Sequence, residues 1–435
     1  MTYCYLKYSK DKIKLALDEV GSLEQCEFPY SHSEIALKKI KDFLESLVCR
    51  LDDLDPQLNT KDIIQKECKL ALKALASYIP ILGFILRSTN VRNAFEIFIP
   101  LLNISRKLLE PDIDVNQSTV KLILSSEWKY SPHMFVFHQT QFQQPQILDG
   151  FILIGLPSYE SSNPLLIPLT GHELGHAIWK IKKLENDFRV IISKAVEKHI
   201  KIHWDDFPDE IKKIPNTAKK TDRESKTENL FVLPTKERAT SFALKQTEET
   251  FCDFIGLNIY GTAYLQSFAY LFAPKLPGRR SLKYPNEVKR TNNLVKAAGQ
   301  YGFEVPVDYQ SNFEDRKDPE LFKIDQLSIT IADTVFDQMV QIAIDKAETI
   351  LSETEVQRPD DKAIQEIYER FKSAVPFQNC NSISEILNAA WKAYEEPDFW
   401  SQEPLRENKD KILKELTLKN IEILGINQIL QGPVS

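Results

Sequence analysis

Residues 163–184 read NPLLIPLTGHELGHAIWKIKKL, and the segment Gly171-His172-Glu173-Leu174-Gly175-His176 within it decides what can be inferred about the chain. Asn163 can cap a helix whose first turn accepts Pro164, so a helix is expected to run through the motif toward Leu184, bent at Pro168. On a helix, residues four apart share a face. Both imidazoles can then hold one divalent ion, with Glu173 projecting beside it. Zinc accepts imidazole and carboxylate donors, and a hydrolytic site leaves one position for water. The motif also lies in an otherwise apolar helix, where polar groups without partners would be costly.

A third ligand has to come from elsewhere. Position 182, six residues after His176, is Lys182, and no histidine occurs after His203. Gly261-Thr262-Ala263-Tyr264 has Tyr where an aspartate ligand would be needed. Glu249-Thr250-Phe251-Cys252-Asp253 supplies a better set. Its two acids are four apart on a second helix, so Glu249 can bind the ion while Asp253 accepts a hydrogen bond from a ligand histidine. Glu248 is a direct rival for the ligand role, and a solvated helix-face acid is the plain alternative for Glu249 and Asp253.

Outward from the motif, Val120 to Ser125, Met134 to His138 and Phe151 to Leu156 are short apolar runs punctuated by Pro132, Pro145, Gly150 and Pro157. They predict a small sheet just before the HELGH helix, with Phe151 to Leu156 as an edge strand. Residues 205–236 are polar and proline-punctuated, which suggests a long insertion. A second long helix is expected from near Thr240 to Phe272, ended by Pro274 and Pro277.

Both flanks read as helical. Ile40, Phe43, Leu44, Leu47 and Val48 follow one helical stripe, and Ile324, Leu327, Ile331, Val335, Met339 and Ile342 follow another. Leu70 to Leu86 is apolar but short, carries Lys73 and contains Pro80, so a buried helical hairpin is expected in place of a membrane span. Ser382 to Glu385 (SISE) reads as a capping box. The expected fold is α+β and predominantly helical, in three parts: an N-terminal helical region (1–115), a catalytic core (116–300) and a C-terminal helical region (301–435).

The HExxH and ExxxD elements together resemble the gluzincins, the thermolysin-like class of zinc peptidases, over roughly residues 120–290. The resemblance implies a zincin-like core and makes His172, His176 and Glu249 zinc ligands, Glu173 the general base, and Asp253 the partner of a ligand imidazole. It also implies an edge strand that holds extended substrate by backbone pairing. Tyr284-Pro285, with Arg290 beyond, is similar to a His-Pro…Arg segment found after the second helix in some zinc peptidases. Tyr284 is therefore the expected oxyanion donor, with Tyr260 and Tyr264 as rivals. His199 and His203 form a second i, i+4 pair without an intervening acid and read as a solvated face.

Bulk properties agree with a soluble enzyme. At 435 residues, with 43% hydrophobic and 27% charged residues, the chain can build more than one core. Its net charge of −7 and mixed charge pattern argue against nucleic acid as a partner. Six scattered cysteines without a CxxC pair, and a start lacking an apolar signal core, suggest the cytoplasm. The expectation is a zinc peptidase acting on a protein or peptide, without membrane contact, with helical flanks that could recruit a regulatory partner. A metal-dependent amidase or deacylase, or a scaffold with a vestigial zinc site, are the alternatives.

Overall fold

The computed structural model describes residues 2–55, 57–89, 95–111, 113, 118–127, 133–136, 148, 150–158, 160, 162–203, 232–273 and 279–431. Those residues are predominantly helical, with fourteen α-helices and one small sheet among them. They divide into two compact units, the first from 1–103, 114–163 and 428–435, the second from 104–113 and 164–427. These boundaries differ from the three regions expected, because the sheet groups with the N-terminal helices and the C-terminal helices group with the HELGH segment.

In the first unit, α1 (Thr2–Leu23), α2 (Ser31–Asp52) and α3 (Lys61–Arg87) surround a core that includes Ile13, Val20, Ile40, Leu44, Ile64 and Ile85. The predicted stripe of α2 is buried at Ile40, Phe43, Leu44 and Leu47, each burial stabilising by about 1.5–3 kcal/mol. Pro80 does not split α3 into a hairpin. Its ring sits on an exposed face of one continuous 27-residue helix, where a missing N–H can be compensated by solvent. α4 (Phe98–Leu109) follows.

The sheet is built from β1 (Lys121–Glu127), β2 (His133–Val136) and β3 (Phe151–Pro157), in the order β1-β3-β2. β3 runs parallel to β1, with Lys121 opposite Phe151, and antiparallel to β2, with His133 opposite Gly155. Phe151 to Leu156 is therefore the central strand, which corrects its expected place at the edge. All seven β3 residues are buried, and an unbroken apolar run of this kind suits a strand covered on both faces and paired on both sides. Phe151 and Leu153 join the same core as the three helices.

The second unit holds α5 (Thr170–Ile181), α6 (Leu184–Ile202), α7 (Val232–Tyr260), α8 (Thr262–Phe272) and α9 (Glu287–Tyr301). After them come α10 (Lys323–Ser352), α11 (Asp361–Lys372), α12 (Ile383–Glu395), α13 (Glu403–Glu407) and α14 (Lys409–Gln431). The long helix expected from Thr240 to Phe272 is two helices. Gly261 breaks it at φ +58°, ψ −138°, and Asn388 bridges the break by donating to the Tyr260 carbonyl and accepting from the Ala263 N–H. The α7 helix also begins earlier than expected, at Val232, while the expected insertion lies outside the described residues as far as 231. Ahead of α5, Pro164–Leu169 forms a 3-10 turn, and α5 ends at Ile181 before a left-handed Lys183.

From Gln246 to Tyr260, α7 is buried on every side, packed among α5, α6, α9 and α10. Such a helix is normally apolar throughout, yet this one carries Gln246, Glu248, Glu249, Asp253 and Asn258. Each of those groups needs a partner. The α10 stripe is buried at Ile331, Val335 and Met339, but Ile342 is exposed, and the buried face continues through Ala343, Ala347 and Ile350. By length and apolarity α3 and α10 could each cross a bilayer; each also buries one face within its unit. Ser382 caps α12 as expected, accepting from the Ser384 N–H.

Candidate functional site

Two glycines of the GHELGH segment, Gly171 and Gly175, set the site. A Cβ added at Gly171 would lie 2.7 Å from the Gly256 Cα, and one at Gly175 would lie 2.6 Å from the Cys252 Cα. The α5 and α7 backbones thus touch along a strip of small residues four apart. Neighbouring positions on each helix are pressed together as a consequence: His172 and His176 from α5, Glu248, Glu249 and Asp253 from α7.

The imidazoles of His172 and His176 stand edge to face with centroids 4.9 Å apart. Glu249 Oε2 lies 3.2 Å from His172 Nε2 and 3.7 Å from His176 Nε2. One donor atom from each of the three residues falls within 4.8 Å of the others, the only such group of His, Cys, Asp and Glu among the described residues. Glu249 Oε2 is buried and has no hydrogen-bond partner. A buried carboxylate oxygen left without a hydrogen bond is costly, and two nitrogens and one oxygen converging on a point form a donor set that suits zinc.

The opposite ring nitrogens are both engaged. His172 Nδ1 lies 2.8 Å from Asp253 Oδ1. Asp253 in turn accepts from Arg290 Nε at 2.5 Å and Nη2 at 2.7 Å, and from the Tyr264 hydroxyl at 2.7 Å. Burial alone would raise the Asp253 carboxyl, but Arg290 and His172 hold it well below the usual carboxylate range. The Arg290 guanidinium is itself enclosed by aromatic rings, 4.8 Å from the Phe268 centroid and 5.2 Å from that of Tyr284. His176 Nδ1 lies 3.1 Å from Glu248 Oε1, and Glu248 Oε2 accepts from Lys245 Nζ at 2.7 Å.

Glu173, only 6% exposed, follows His172 on α5. Burial raises the affinity of its carboxylate for a proton, while the two neighbouring imidazoles oppose the shift. Burial also works against a charged His172, yet the carboxylates of Asp253 and Glu249 outweigh it and lift this imidazole to about 10.

Tyr284 stands before α9, with its ring on Arg290. Burial, reinforced by the charges of Glu249 and Glu173, raises its hydroxyl above the ordinary tyrosine value, so the O–H remains a donor at neutral pH. Its two rivals are fully buried and occupied: Tyr264 on Asp253, and Tyr260 within 3.2 Å of the Thr170 hydroxyl. The His199 and His203 rings lie tilted against each other at 4.4 Å at the C-terminal end of α6, without a third ligand among the described residues. The roles of Glu248, Lys245 and Arg290 were not read from the sequence. The i, i+3 spacing of Lys245 and Glu248 was the one local signal, and Arg290 reaches Asp253 only through the fold.

Compared with protein-family models, with curated protein sequences and with solved structures, the chain matches none.

Proposed function

We propose that this protein is a zinc-dependent peptidase with a zincin-like core, in which His172, His176 and Glu249 hold the ion. The observation that carries this reading is the buried Glu249 Oε2, which makes no hydrogen bond and lies 3.2 and 3.7 Å from the Nε2 atoms of the two histidines. A bound zinc ion would supply a water of lowered pKa and polarise the scissile carbonyl.

The chain's own groups supply the rest. Glu173 accepts a proton from the attacking water as its oxygen bonds to the carbonyl carbon. The same carboxyl then delivers that proton to the amide nitrogen as the C–N bond breaks, so one water is added across one peptide bond. Asp253 keeps the proton of His172 on Nδ1, leaving Nε2 free to face Glu249. Tyr284 donates its O–H to the oxyanion that develops on the carbonyl. The substrate is a protein or peptide, and the cytoplasm is the proposed location.

The test is proteome-wide cleavage profiling of the zinc-loaded protein beside Glu173→Gln. The expected result is a set of cleaved peptide bonds that is lost in the variant, by about 10²–10⁴-fold in rate, while zinc content stays the same. Unchanged cleavage by Glu173→Gln would contradict the assignment. Hydrolysis confined to small amides or acylated side chains would replace the peptidase with a deacylase.

A further inference from the structure

We infer that Glu248 is a positioning residue for His176, and that the Glu248–Lys245 pair is the softer of two brackets gripping the metal centre. The inference rests on the metal reading of the site, which it deepens by naming the ligand released first.

Glu248 was a rival for the ligand role, but its Oε1 lies 3.1 Å from Nδ1 of His176, on the side of the ring away from Glu249. An acceptor there keeps the proton on Nδ1 and fixes the rotation of the ring. Nε2 is then left to face the Glu249 oxygen. The same logic operates at His172 with Asp253, so both imidazoles are backed by a carboxylate.

The two supports differ in construction. The Asp253 side chain is 1% exposed and held by a guanidinium through two nitrogens and by a tyrosine hydroxyl. The Glu248 side chain is 7% exposed, but its one cationic partner, Lys245, has a side chain 47% exposed to solvent. A half-exposed ammonium group is more mobile and more screened by salt than a buried bidentate guanidinium. The separations agree, since the His176 contact at 3.1 Å is longer than the His172 contact at 2.8 Å. His176 is therefore the ligand with freedom to swing away, and the occupancy of the site responds to ionic strength through Lys245.

Zinc affinity and release can be measured by competition with a chromophoric chelator on the full chain, for wild type, Glu248→Ala, Glu248→Gln and Lys245→Ala. Cobalt substitution gives a second readout that reports ligand geometry. Glu248→Ala should weaken zinc binding about 10–100-fold, speed its release and shift the visible cobalt bands. Glu248→Gln, whose amide oxygen can still accept from Nδ1, should restore most of the affinity. Lys245→Ala should cost up to about fivefold at low salt and nothing at high salt. Wild-type affinity, release rate and cobalt bands in Glu248→Ala would overturn the inference and leave the zinc site intact. A Glu248→Gln as damaged as Glu248→Ala would also overturn it. Failure of the wild type to bind zinc would remove the metal reading itself.

Discussion

Gly175 and Cys252 meet backbone to backbone, with only 2.6 Å between the Cys252 Cα and the place a methyl group on residue 175 would take. That contact, repeated between Gly171 and Gly256, brings the carboxylates of α7 within reach of the α5 imidazoles. Gly175→Ala should force the helices apart, costing about 1–3 kcal/mol and weakening zinc binding without touching any ligand. Gly299→Ala makes the control. Beyond the surrounding backbone of its own helix, no atom lies within 4 Å of a Cβ there, and the position is inside α9, so stability should stay level or rise by about 0.5–1 kcal/mol. Denaturant unfolding of the two variants checks both expectations.

Arg290 and Asp253 form a buried ion pair whose members depend on each other. Arg290→Met would leave Asp253 charged, enclosed and short of its two strongest donors. Breaking such a pair from one side should cost about 3–5 kcal/mol, and the freed Asp253 should hold His172 less firmly. The unfolding midpoint and zinc affinity should fall together, whereas Arg316→Met, which removes a more exposed pair with Glu287, should cost about 1 kcal/mol or less.

Tyr284→Phe separates chemistry from metal binding. The ring keeps its place on Arg290 while the proposed oxyanion donor is lost. Steady-state kinetics should give a kcat reduced about 10²–10³-fold, with zinc content and KM little changed. A variant with wild-type kcat would return the oxyanion role to some other donor.

Alkaline pH should loosen the second unit through Tyr260. Burial pushes its hydroxyl up to about 12, and the Thr170 hydroxyl opposes that only in part. An unfolded tyrosine ionises near 10, so the native state binds more protons between those values and loses stability as pH rises through them. The contribution is fully present below about 10 and falls by on the order of 2 kcal/mol by about 12. Urea unfolding across this range should show the decline, and Tyr260→Phe should make it shallower by that amount, the other buried tyrosines of the unit, Tyr264, Tyr284, Tyr301 and Tyr309, accounting for the rest.

What could be read directly from the residues was whatever depends on helical spacing alone. His172 with His176, and Glu249 with Asp253, are four apart on helices that do form, and the stripe of α2 is buried where its periodicity places it. Features that depend on distant partners were not legible. The FILIGL run could have been an edge or a centre until β1 and β2 were seen to flank it. The end of α7 is set by Gly261 together with Asn388, 128 residues beyond Tyr260. Glu248 and Glu249 are indistinguishable by type. Only the rotation of α7 against α5 puts one at Nδ1 of His176 and the other within 3.7 Å of both Nε2 atoms.

Zinc-edge X-ray absorption on the purified protein probes the metal centre itself. The expected spectrum is that of one zinc per chain bound by two imidazole nitrogens and a carboxylate oxygen at about 2.0–2.2 Å, with a water oxygen completing the shell. A sulfur neighbour at about 2.3 Å, four protein donors closing the shell, or no bound zinc would contradict it.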